Sequence, residues 1–549
     1  MTNTFTIAVS DQIIKQAPAL FNASFNDILT ELLQNSRRAG AKTVKITIEK
    51  RDEIDWMIVQ DDGIGLFAHG VQITMGASHW QESIQENEHS AGMGLFSLAN
   101  RGCSIDANQK HIELEPEHFT GSQPVEVSPS SYSEGTSIAF PLLKKDLRFT
   151  TIDTVLKQCT EYYPIPVLHQ GHVLSCQSFM EGTVYIEEWE GLEIGVFKYG
   201  GNSINFHGLT IATKLPTIMN CCADSINEHL SIRINVYNCP HLRLTLPRRR
   251  EVVQNDFFGQ LNDKCLEVLY RYLQKLGAHY LTFAEYNDAL KKQIILPPAT
   301  ARLFRYEPKI ADTDSFASYD MLTLEEQKQY WLVELDEEPA VEQVFARGFR
   351  RAHPGIVLLT PNKDMVGYDW YDRLPKITEA AIAVNYGDVK YLLSEIPSDI
   401  VEQRPTSIAM TLVVHNLKDK PQIDTISLDM ALWNPDECFC YDDPSNLNVF
   451  IPEHSTVNVD TIVDLMIKSF FVYCDDGDAD SYDSQKDYFH TEAEFRVMKI
   501  LDEAKAIEHR IESYVEQYIT WLVAQGKQCV ITIDHAQLGQ PHSVSVSVQ

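Results

Sequence analysis

Three short segments of this sequence combine carboxylates, an amide and glycines at spacings that suit nucleotide chemistry. In the first, ELLQNSRRAGA, Glu31 stands four residues before Asn35. The second, Asp61-Asp62-Gly63-Ile64-Gly65, follows an apolar run, and the third is Gly92-Met93-Gly94-Leu95. Together they offer a general base, a ligand for a hard cation, an acceptor for an amine, and backbone N–H groups for an anion.

A buried adenine-nucleotide site needs each of these groups. The exocyclic amine of adenine donates a hydrogen bond, which the Asp61 carboxylate can accept. Gly63 and Gly65 let the backbone approach the base closely, because they carry no Cβ. Gly92 and Gly94 can present N–H groups to phosphates at the start of a helix. The two glycine segments are therefore candidates for the base and phosphate subsites.

The ELLQNS segment supplies the remaining chemistry. Magnesium takes hard oxygen ligands and keeps several waters, so the side-chain carbonyl of Asn35 suffices as its protein ligand. Glu31, one helical turn earlier, can orient or deprotonate a water for hydrolysis. Singly these signals are weak, because Glu and Asn at i and i+4 usually form a solvated face and Asp-Asp-Gly is usually a turn. Their order and placement together support the hypothesis of a site for ATP and Mg²⁺.

The elements that must position these residues follow from the periodicity of apolar side chains. Over residues 24–38 they recur at i, i+3, i+4 and i+7, which predicts a helix that Ser24 or Asn26 caps and Gly40 ends. A short helix is predicted after Gly94. We predict strands over 43–50, 55–66 and 134–143. This order predicts an α/β class, an α+β sandwich with helices on one face of the sheet, over residues 1–184.

A second α/β unit is predicted over 185–295, with LKKQIILPPAT as a linker after it. Its strands are predicted over 193–200, 203–213 and 230–238. An amphipathic helix is predicted over 255–277, ended by Gly277. The remaining region, 300–549, has mixed signals and is predicted to be an acidic mixed α/β region.

The last 60 residues carry a clearer pattern. A near-heptad spacing over 491–525 predicts one long helix with a single apolar seam, interrupted by Glu508. The seam consists of Val497, Leu501, Ala504, Ile511, Val515, Tyr518 and Leu522. It serves either core packing or a dimer contact. KQCVITID and HSVSVSVQ, which follow, predict a terminal hairpin.

Composition and charge restrict the class of partner. The formal net charge is −31, and residues 301–549 hold 21 Lys and Arg against 43 Asp and Glu. Such a surface repels phosphate backbones, which argues against broad nucleic-acid binding but leaves room for a local basic groove. No apolar run reaches the roughly 18 residues of a membrane span, and the N-terminus lacks the pattern of a signal peptide. We therefore expect a cytoplasmic protein.

Cysteines and acidic clusters lack the spacing that metal sites require. The 11 scattered cysteines indicate reduced thiols. Cys221-Cys222 and the pair Cys438 and Cys440 have no second ligand pair at zinc spacing. Asp475, Asp476, Asp478 and Asp480 resemble the start of a calcium loop, but Ser481 stands where an EF-hand has glycine. These acids are interpreted as a solvated loop.

The combined motifs resemble a known superfamily. ELLQNS, DDGIG, AGMGLFS and the EGT of 134–136 look like the four ATP-site motifs of GHKL proteins: the ATPase component of DNA gyrase, the ninety-kilodalton heat-shock chaperones, sensor histidine kinases and MutL. The resemblance implies the Bergerat ATP fold and a mobile lid over 76–91. It implies Glu31 as base and Asn35 as the Mg²⁺ ligand. The implied nucleotide contacts are Asp61, Gly63, Gly65, Gly92, Met93, Gly94, Leu95 and Thr136.

One position departs from the motif. Many members have Asp where this chain has Arg38, so Arg38 either alters local pairing near the pocket or points to solvent. Thr136 is implied to help fix Asp61 and its water. The retained Glu31 argues that hydrolysis survives the change at Arg38.

A second resemblance favours one branch of the superfamily. LRLTLPRRREVVQNDFFGQLNDK, 242–264, is similar to the middle-domain segment of the ninety-kilodalton chaperones, in which an Arg and a Gln contact the γ-phosphate on closure. The corresponding residues are Arg250, Glu251 and Gln254. A cation there stabilises transition-state charge. The alternative is that Arg248, Arg249 and Arg250 form a basic cluster at the start of a helix.

Three functions remain open from the sequence. The first is an ATP-driven, chaperone-like clamp, a homodimer that acts on a protein partner through its acidic C-terminal half. The second is a DNA-associated ATPase like MutL or a type II topoisomerase, which the acidic balance disfavours. The third is a protein kinase of the histidine-kinase type, which the absence of a histidine in the roughly 20 residues before the ATP motifs disfavours.

Overall fold

The computed structural model describes most of the chain, with gaps. The described residues are 24–68, 94–120, 123–144, 146, 150–219, 228–245, 251–312, 320–416, 420–435, 444–476, 480–534 and 543–548. The chain divides into two compact units between Thr300 and Ala301. Both units have mixed α/β structure, as the sequence predicts.

The first sheet packs with the segments that the sequence predicts to form an ATP site. Its strands are β1 (Val44–Arg51), β2 (Ile54–Asp61), β3 (Cys103–Ala107), β4 (Lys110–Leu114), β5 (Val127–Pro129), β6 (Thr136–Pro141), β7 (Val167–His169) and β8 (His172–Val173). They lie in the order β5-β4-β3-β6-β2-β1-β7-β8. Only β1 and β7 pair in parallel among these neighbours. The strand β6 thus lies beside β2, although 74 residues separate the end of β2 from the start of β6 in sequence.

Two helices, α1 (Phe25–Arg38) and α2 (Ile152–Thr160), pack in one core with this sheet. A capping box starts α1: the Asp27 N–H donates to Ser24 Oγ at 3.3 Å, and the Ser24 N–H donates to Asp27 Oδ2 at 3.0 Å. Ser24, one of the two predicted caps, is therefore the cap. The core-facing side chains of α1 are Ile28, Leu29, Leu32 and Leu33, all essentially inaccessible to solvent. The predicted helix after Gly94 is a single 3-10 helix, Gly94–Leu98.

The second sheet of the first unit follows directly. Its strands are β9 (Tyr185–Trp189), β10 (Leu192–Lys198), β11 (Ser203–Phe206), β12 (Leu209–Ala212), β13 (Ile218–Met219) and β14 (His229–Val236). The single strand predicted over 203–213 is wrong. It is a hairpin, because His207 and Gly208 both adopt positive φ, at 51° and 101°, and reverse the chain. The helices α3 (Asp256–Leu276), closed by left-handed Gly277, and α4 (Phe283–Lys291) complete this layer.

The second unit has its own sheet and core. Its strands are β15 (Arg302–Phe304), β16 (Met321–Thr323), β17 (Gln329–Val333), β18 (Ile356–Leu359), β19 (Lys376–Tyr386), β20 (Val389–Leu392), β21 (Ser407–His415), β22 (Gln422–Leu428), β23 (Ala431–Trp433), β24 (Asn448–Phe450), β25 (Cys529–Asp534) and β26 (Ser543–Val548). Its helices are α5 (Pro339–Ala352), α6 (Asp369–Asp372), α7 (Val459–Phe470), α8 (Tyr482–Leu501) and α9 (Glu503–Tyr518). The order β18-β17-β19-β21-β22 defines the main sheet. The strands β25 and β26 form the predicted terminal hairpin.

The single long helix predicted over 491–525 is wrong. It is divided between α8 and α9 at Asp502, whose backbone is extended with φ −159° and ψ 97°. The Asp502 carboxylate accepts a hydrogen bond from the Lys505 N–H at 3.2 Å and so caps a new helix. The seam is divided with it: Val497 is fully buried in the core, whereas Ile511 and Tyr518 are about half exposed.

Candidate functional site

The first and third of the predicted nucleotide-binding motifs meet at α1. Glu31 and Asn35 share one face of the helix, and Gly94 lies against them at the start of the 3-10 helix. A Cβ added to Gly94 would lie 3.0 Å from Glu31 Oε2 and 3.0 Å from Asn35 Nδ2. A side chain at position 94 would therefore push on both groups. The structure thus brings the third motif into contact with the first, across more than 50 residues of sequence.

Asp61 ends β2 beside this helix and is almost fully buried. Its Oδ1 accepts hydrogen bonds from the Gly63 N–H at 3.0 Å and the Thr136 N–H at 3.3 Å. Its Oδ2 accepts from the Ser36 hydroxyl at 3.0 Å, and that hydroxyl also lies 3.1 Å from the Leu32 carbonyl oxygen. A carboxylate oxygen has two lone pairs, so these contacts leave Oδ2 able to accept one further donor.

Burial raises the pKa of Asp61 above its ordinary value. Hydrogen bonds from Gly63, Ser36 and Thr136 act in the opposite direction, because they stabilise the charged form. The negative charge of Asp62 adds to the rise. The pKa of Asp61 is therefore set by a balance between burial and three fixed donors, and a ligand that donates to the carboxylate would favour its ionised form.

The neighbouring Asp62 has a different role. It is exposed and turns away from Asp61, accepting from the Lys42 N–H at 2.6 Å and from the Thr43 N–H and hydroxyl at 3.0 Å each. Burial alone would raise its pKa, but the donors on Thr43 and Lys42 outweigh it and lower the pKa below the ordinary value. Of the two adjacent acids, Asp61 is the buried one, and Asp62 fixes the loop that joins α1 to β1.

Three glycines allow close backbone contacts around Asp61. Gly63 packs on Ala39, where a Cβ would lie 2.7 Å from the Ala39 Cβ. Gly65 has φ +82° and sits against the Asn108 side chain. Gly135, just before β6, has φ +72°, and a Cβ there would lie 1.8 Å from the Asp61 carbonyl oxygen. Close contact between β2 and β6 at the level of Asp61 therefore requires glycine at 135.

Thr136 and Asn108 fix the loop after Gly65. The Thr136 hydroxyl accepts from the Leu66 N–H at 3.1 Å, and its own N–H donates to Asp61. Asn108 Oδ1 accepts from the Phe67 N–H at 3.0 Å, and its amide donates to the Ile64 carbonyl oxygen at 3.1 Å. Sequence reasoning missed Asn108 and Ser36. The turn pair Asn108-Gln109 gives a local signal for a hairpin, but its contact with 64–67 depends on tertiary structure.

Arg38 also belongs to this face of α1. It is buried, with 8% of its surface exposed, and its Nη1 donates to Asn35 Oδ1 at 3.2 Å. The spacings from Glu31 to Asn35 and from Asn35 to Arg38 place all three on one side of the helix. A cation of the protein therefore contacts the oxygen that the sequence assigns to Mg²⁺.

The donor set fits a hard cation. Asn35 offers an amide oxygen, and the Glu31 carboxylate lies on the same helix face one turn away, so the oxygens that Mg²⁺ prefers are present. Asn35 is the residue that would hold it. Elsewhere among the described residues, no three His, Cys, Asp or Glu side chains come together as a metal site. Cys221, Cys222, Cys438 and Cys440 lie outside the described residues, as does Asp478.

Several predicted residues are not in the described part of the chain. Gly92, Met93, the lid segment 76–91 and the three arginines 248–250 lie outside it. Leu95 is half-buried in the 3-10 helix and packs against the core of the first sheet. Gln254 is exposed, and its amide donates to the Val252 carbonyl oxygen at 3.2 Å. Residues 243–245 pair with 251–253 on either side of the arginines.

A side of α1 next to the face of Glu31 and Arg38 contacts the second sheet. Gln34 is buried, and its Nε2 donates to the His207 carbonyl oxygen at 2.9 Å, in the turn between β11 and β12. Gln34 Oε1 accepts from Arg37 Nε at 3.3 Å. Gly208 packs on Tyr163, whose hydroxyl donates to the Leu33 carbonyl oxygen at 2.6 Å. The helix that carries Glu31 and Asn35 is thus bonded directly to the second sheet.

Comparison with known proteins gives one family. Residues 23–115 match the family model described as "Histidine kinase-, DNA gyrase B-, and HSP90-like ATPase". This supports the GHKL superfamily for that part of the chain and ATP binding and hydrolysis as its general activity. No curated protein matches the chain. Within the described residues, no helix is long and apolar enough to cross a membrane.

Proposed function

We propose that the ATPase-like domain of this chain binds ATP with Mg²⁺ and hydrolyses it slowly to drive a dimeric, chaperone-like clamp. The observation that carries the proposal is the convergence of Asp61, Asn35, Glu31 and Gly94 from three separate segments on the α1 face and the end of β2. Adenine needs a buried carboxylate, and a cation needs an amide oxygen. The attacking water needs a second carboxylate, and the phosphates need a glycine that lets them approach closely.

The roles of Asp61, Glu31 and Asn35 follow from their surroundings in the described part of the chain. Asp61 accepts from the adenine amine with its remaining Oδ2 lone pair, while Ser36, Gly63 and Thr136 hold it in place. Glu31 orients or deprotonates the attacking water. Asn35 holds Mg²⁺, which when bound neutralises charge on the phosphates. The family resemblance assigns the phosphates to Gly92 and Gly94, and it assigns stabilisation of transition-state charge to Arg250 and Gln254.

The clamp interpretation is supported by the bond between α1 and the second sheet. Gln34, on the same helix as Glu31 and Asn35, donates directly to the His207 carbonyl oxygen, so a movement of α1 on nucleotide binding would act on the second sheet. The described cysteines are free, in keeping with a cytoplasmic protein. The acidic charge of residues 301–549 is compatible with a protein partner that binds there. A DNA-associated ATPase is the alternative, and the same charge disfavours it.

The test is nucleotide binding and turnover in matched variants. Calorimetric titration with a non-hydrolysable ATP analogue and Mg²⁺ measures binding, and phosphate release measures turnover. Glu31→Ala should bind the analogue with nearly unchanged affinity and lose turnover, because the carboxylate acts only on the water. Loss of binding in Glu31→Ala, or full turnover without Glu31, contradicts the assignment. Double-stranded DNA that stimulates turnover at physiological salt would favour the alternative.

A further inference from the structure

Helix α9 carries an apolar face that nothing in the described chain covers. Ile507, Ile511, Tyr514 and Tyr518 are 48%, 42%, 58% and 51% exposed, and we call these four residues the α9 seam. Their spacing of four, three and four residues is the heptad spacing of helices that pair with another helix. Trp521, 75% exposed in the 3-10 turn that follows, continues the spacing.

The contacts between α9 and α8 show which side of α9 its own chain covers. Ala506 is fully buried, and Arg510 forms an ion pair with Glu492 and lies over the ring of Phe495, both on α8. Ala506 and Arg510 are one turn apart, so they define the side of α9 that packs on α8. The seam lies beside that side and stays exposed, in contrast to the buried apolar stripe of α8.

We propose that the α9 seam binds the α9 seam of a second copy of this chain, with the two helices antiparallel, in the absence of nucleotide. This contact is independent of the ATP site. The sequence predicted a heptad seam on one long helix. The proposed dimer contact also has heptad spacing, but different residues form it.

In the antiparallel orientation the seam pairs side chains of different shape. With Ile511 opposite Tyr514 of the partner subunit, Ile507 falls opposite Tyr518 of the partner subunit. Every layer then pairs an aliphatic side chain with an aromatic one. The exposed Ala504 falls opposite Trp521 of the partner subunit, which pairs the smallest side chain with the largest. Such alternation of small and large fills the space between helices.

Charge favours the same orientation. In a parallel pair the flanking positions would set Glu503 of one helix against Glu508 of the other, a repulsion at both edges of the seam. In the antiparallel pair Glu508 instead faces the aliphatic Val515 of the partner subunit. Both glutamates are exposed and belong to a helix with an excess of acid, so a parallel pair would be penalised.

The area is sufficient for a dimer. Three aromatic and two aliphatic side chains, each about half exposed or more, offer on the order of 450–600 Å² per copy, close to the roughly 1,000 Å² in total that a specific interface needs. A standard-size interface buries about 800 Å² on each partner, and its binding energy concentrates in Tyr and Trp side chains near the centre. Tyr514 and Tyr518, with ring centroids 4.9 Å apart, provide such a centre.

Light scattering of the full chain without nucleotide tests the proposal. The expected mass at micromolar concentration is twice that of one chain. Tyr514→Glu should give a monomer, because it places two charges in the centre of the interface. Ile511→Ala combined with Tyr514→Ala should weaken the dimer by roughly a thousandfold or more, since binding energy concentrates in such central side chains and each substitution occurs in both copies. Circular dichroism establishes that both variants fold.

His509→Glu is the matched control. His509 is exposed on α9 and lies on the side away from the seam, so the added charge should leave the dimer intact. A monomeric parent protein overturns the proposal, as does a Tyr514→Glu variant that stays dimeric. Because no nucleotide is present, failure here leaves the ATP-site assignment untouched.

Cysteine cross-linking tests the orientation. A mixture of Ile511→Cys and Tyr514→Cys chains, exchanged and then oxidised, should cross-link beyond the level of the parent protein, because these positions face each other in the antiparallel pair. Either variant alone should stay at the parent level. Strong cross-linking of Ile511→Cys by itself places identical residues opposite each other, which overturns the antiparallel pairing.

Discussion

The guanidinium of Arg38 donates a hydrogen bond to Asn35 Oδ1 at 3.2 Å, from a position that is 92% shielded from solvent. The same oxygen is the one proposed to hold Mg²⁺. A protein cation and a metal ion are therefore set to compete for one acceptor. Where related motifs carry Asp at this position, the local charge is opposite. The replacement by Arg38 thus bears directly on metal affinity.

Arg38→Ala is expected to lower the Mg²⁺ concentration at which nucleotide binding is half-maximal. The hydrogen bond from a charged donor is worth about 1.5–3 kcal/mol, so a shift of roughly tenfold is the expected scale. Calorimetric titration of an ATP analogue at a series of Mg²⁺ concentrations measures it. Arg37→Ala is the control, because Arg37 contacts Gln34 on the other side of α1. An unchanged Mg²⁺ requirement contradicts the competition.

Gly94→Ala should weaken nucleotide binding and turnover without unfolding the protein. The new Cβ would press on Glu31 Oε2 and Asn35 Nδ2, which are ends of flexible side chains that can give way, but only by leaving their positions. We expect at least a tenfold loss of turnover, about 1.4 kcal/mol of transition-state stabilisation. Gly259→Ala on α3 is the matched control, since a Cβ there meets nothing within 4 Å. Equal activities would argue against close approach at Gly94.

Asp61→Asn and Asp62→Asn form a pair of adjacent substitutions with opposite expectations. An amide at 61 can keep its oxygen toward the Gly63 and Thr136 N–H groups, but it places an NH2 donor where Oδ2 accepts from Ser36 and would accept from adenine. Nucleotide binding should therefore be lost, and stability should fall by about 0.5–1.5 kcal/mol. Asp62→Asn should keep binding, because the Asp62 side chain accepts its hydrogen bonds from the 42–43 loop and not from the groups around Oδ2 of Asp61. Binding of the analogue and chemical unfolding measure the two effects. Retained affinity in Asp61→Asn would show that the pocket is misassigned.

Nucleotide affinity should fall as the pH is lowered through the raised pKa of Asp61. Only the ionised carboxylate accepts from the adenine amine with full capacity, so the inflection should lie above the ordinary value of 3.8. Adenosine, which has no phosphate to titrate, should show the same inflection. In Asp62→Asn the inflection should remain. An affinity that is flat down to pH 3.8 contradicts a role for Asp61 in accepting from the base.

The two acids should also affect folding stability in opposite ways. The raised pKa of Asp61 means that its ionisation costs stability as the pH rises from 3.8 through its folded pKa. The lowered pKa of Asp62 means that its contribution is complete above 3.8 and is lost as the pH falls through its lower folded value. Unfolding free energies of the two Asn variants, measured against pH, separate these windows.

Arg250→Ala should lower the catalytic rate with little change in ATP affinity, if Arg250 contacts the nucleotide only in a closed state. In a slow ATPase we expect roughly a tenfold to hundredfold loss, below the range of arginine fingers in fast enzymes. Single-turnover phosphate release measures it. Arg248→Ala and Arg249→Ala are the controls, and a loss confined to one of these would shift the assignment along the chain.

Much of the site could be predicted from the sequence because its signals are local. The i, i+4 spacing of Glu31 and Asn35 needs only a helix, and Ser24 and Asp27 start that helix within four residues. The glycines after Asp61 likewise indicate the end of a strand from neighbouring residues alone. Helix α3 and its left-handed Gly277 follow from periodicity and one conformational rule. In each case the residues that determine the structure lie within a turn or two of one another.

The tertiary structure decided which residues that are distant in sequence come into contact. Gly94 meets Glu31, and Gly135 meets Asp61, only because the sheet places β6 beside β2 and the 3-10 helix on α1. The engagement of Asn35 by Arg38 depends on burial, which excludes the water that would otherwise solvate the guanidinium. Asp502 divided a heptad pattern that periodicity alone extends, because a capping hydrogen bond and core packing of α8 outweighed helix continuity. Sequence determines which groups are available, and packing selects which of them meet.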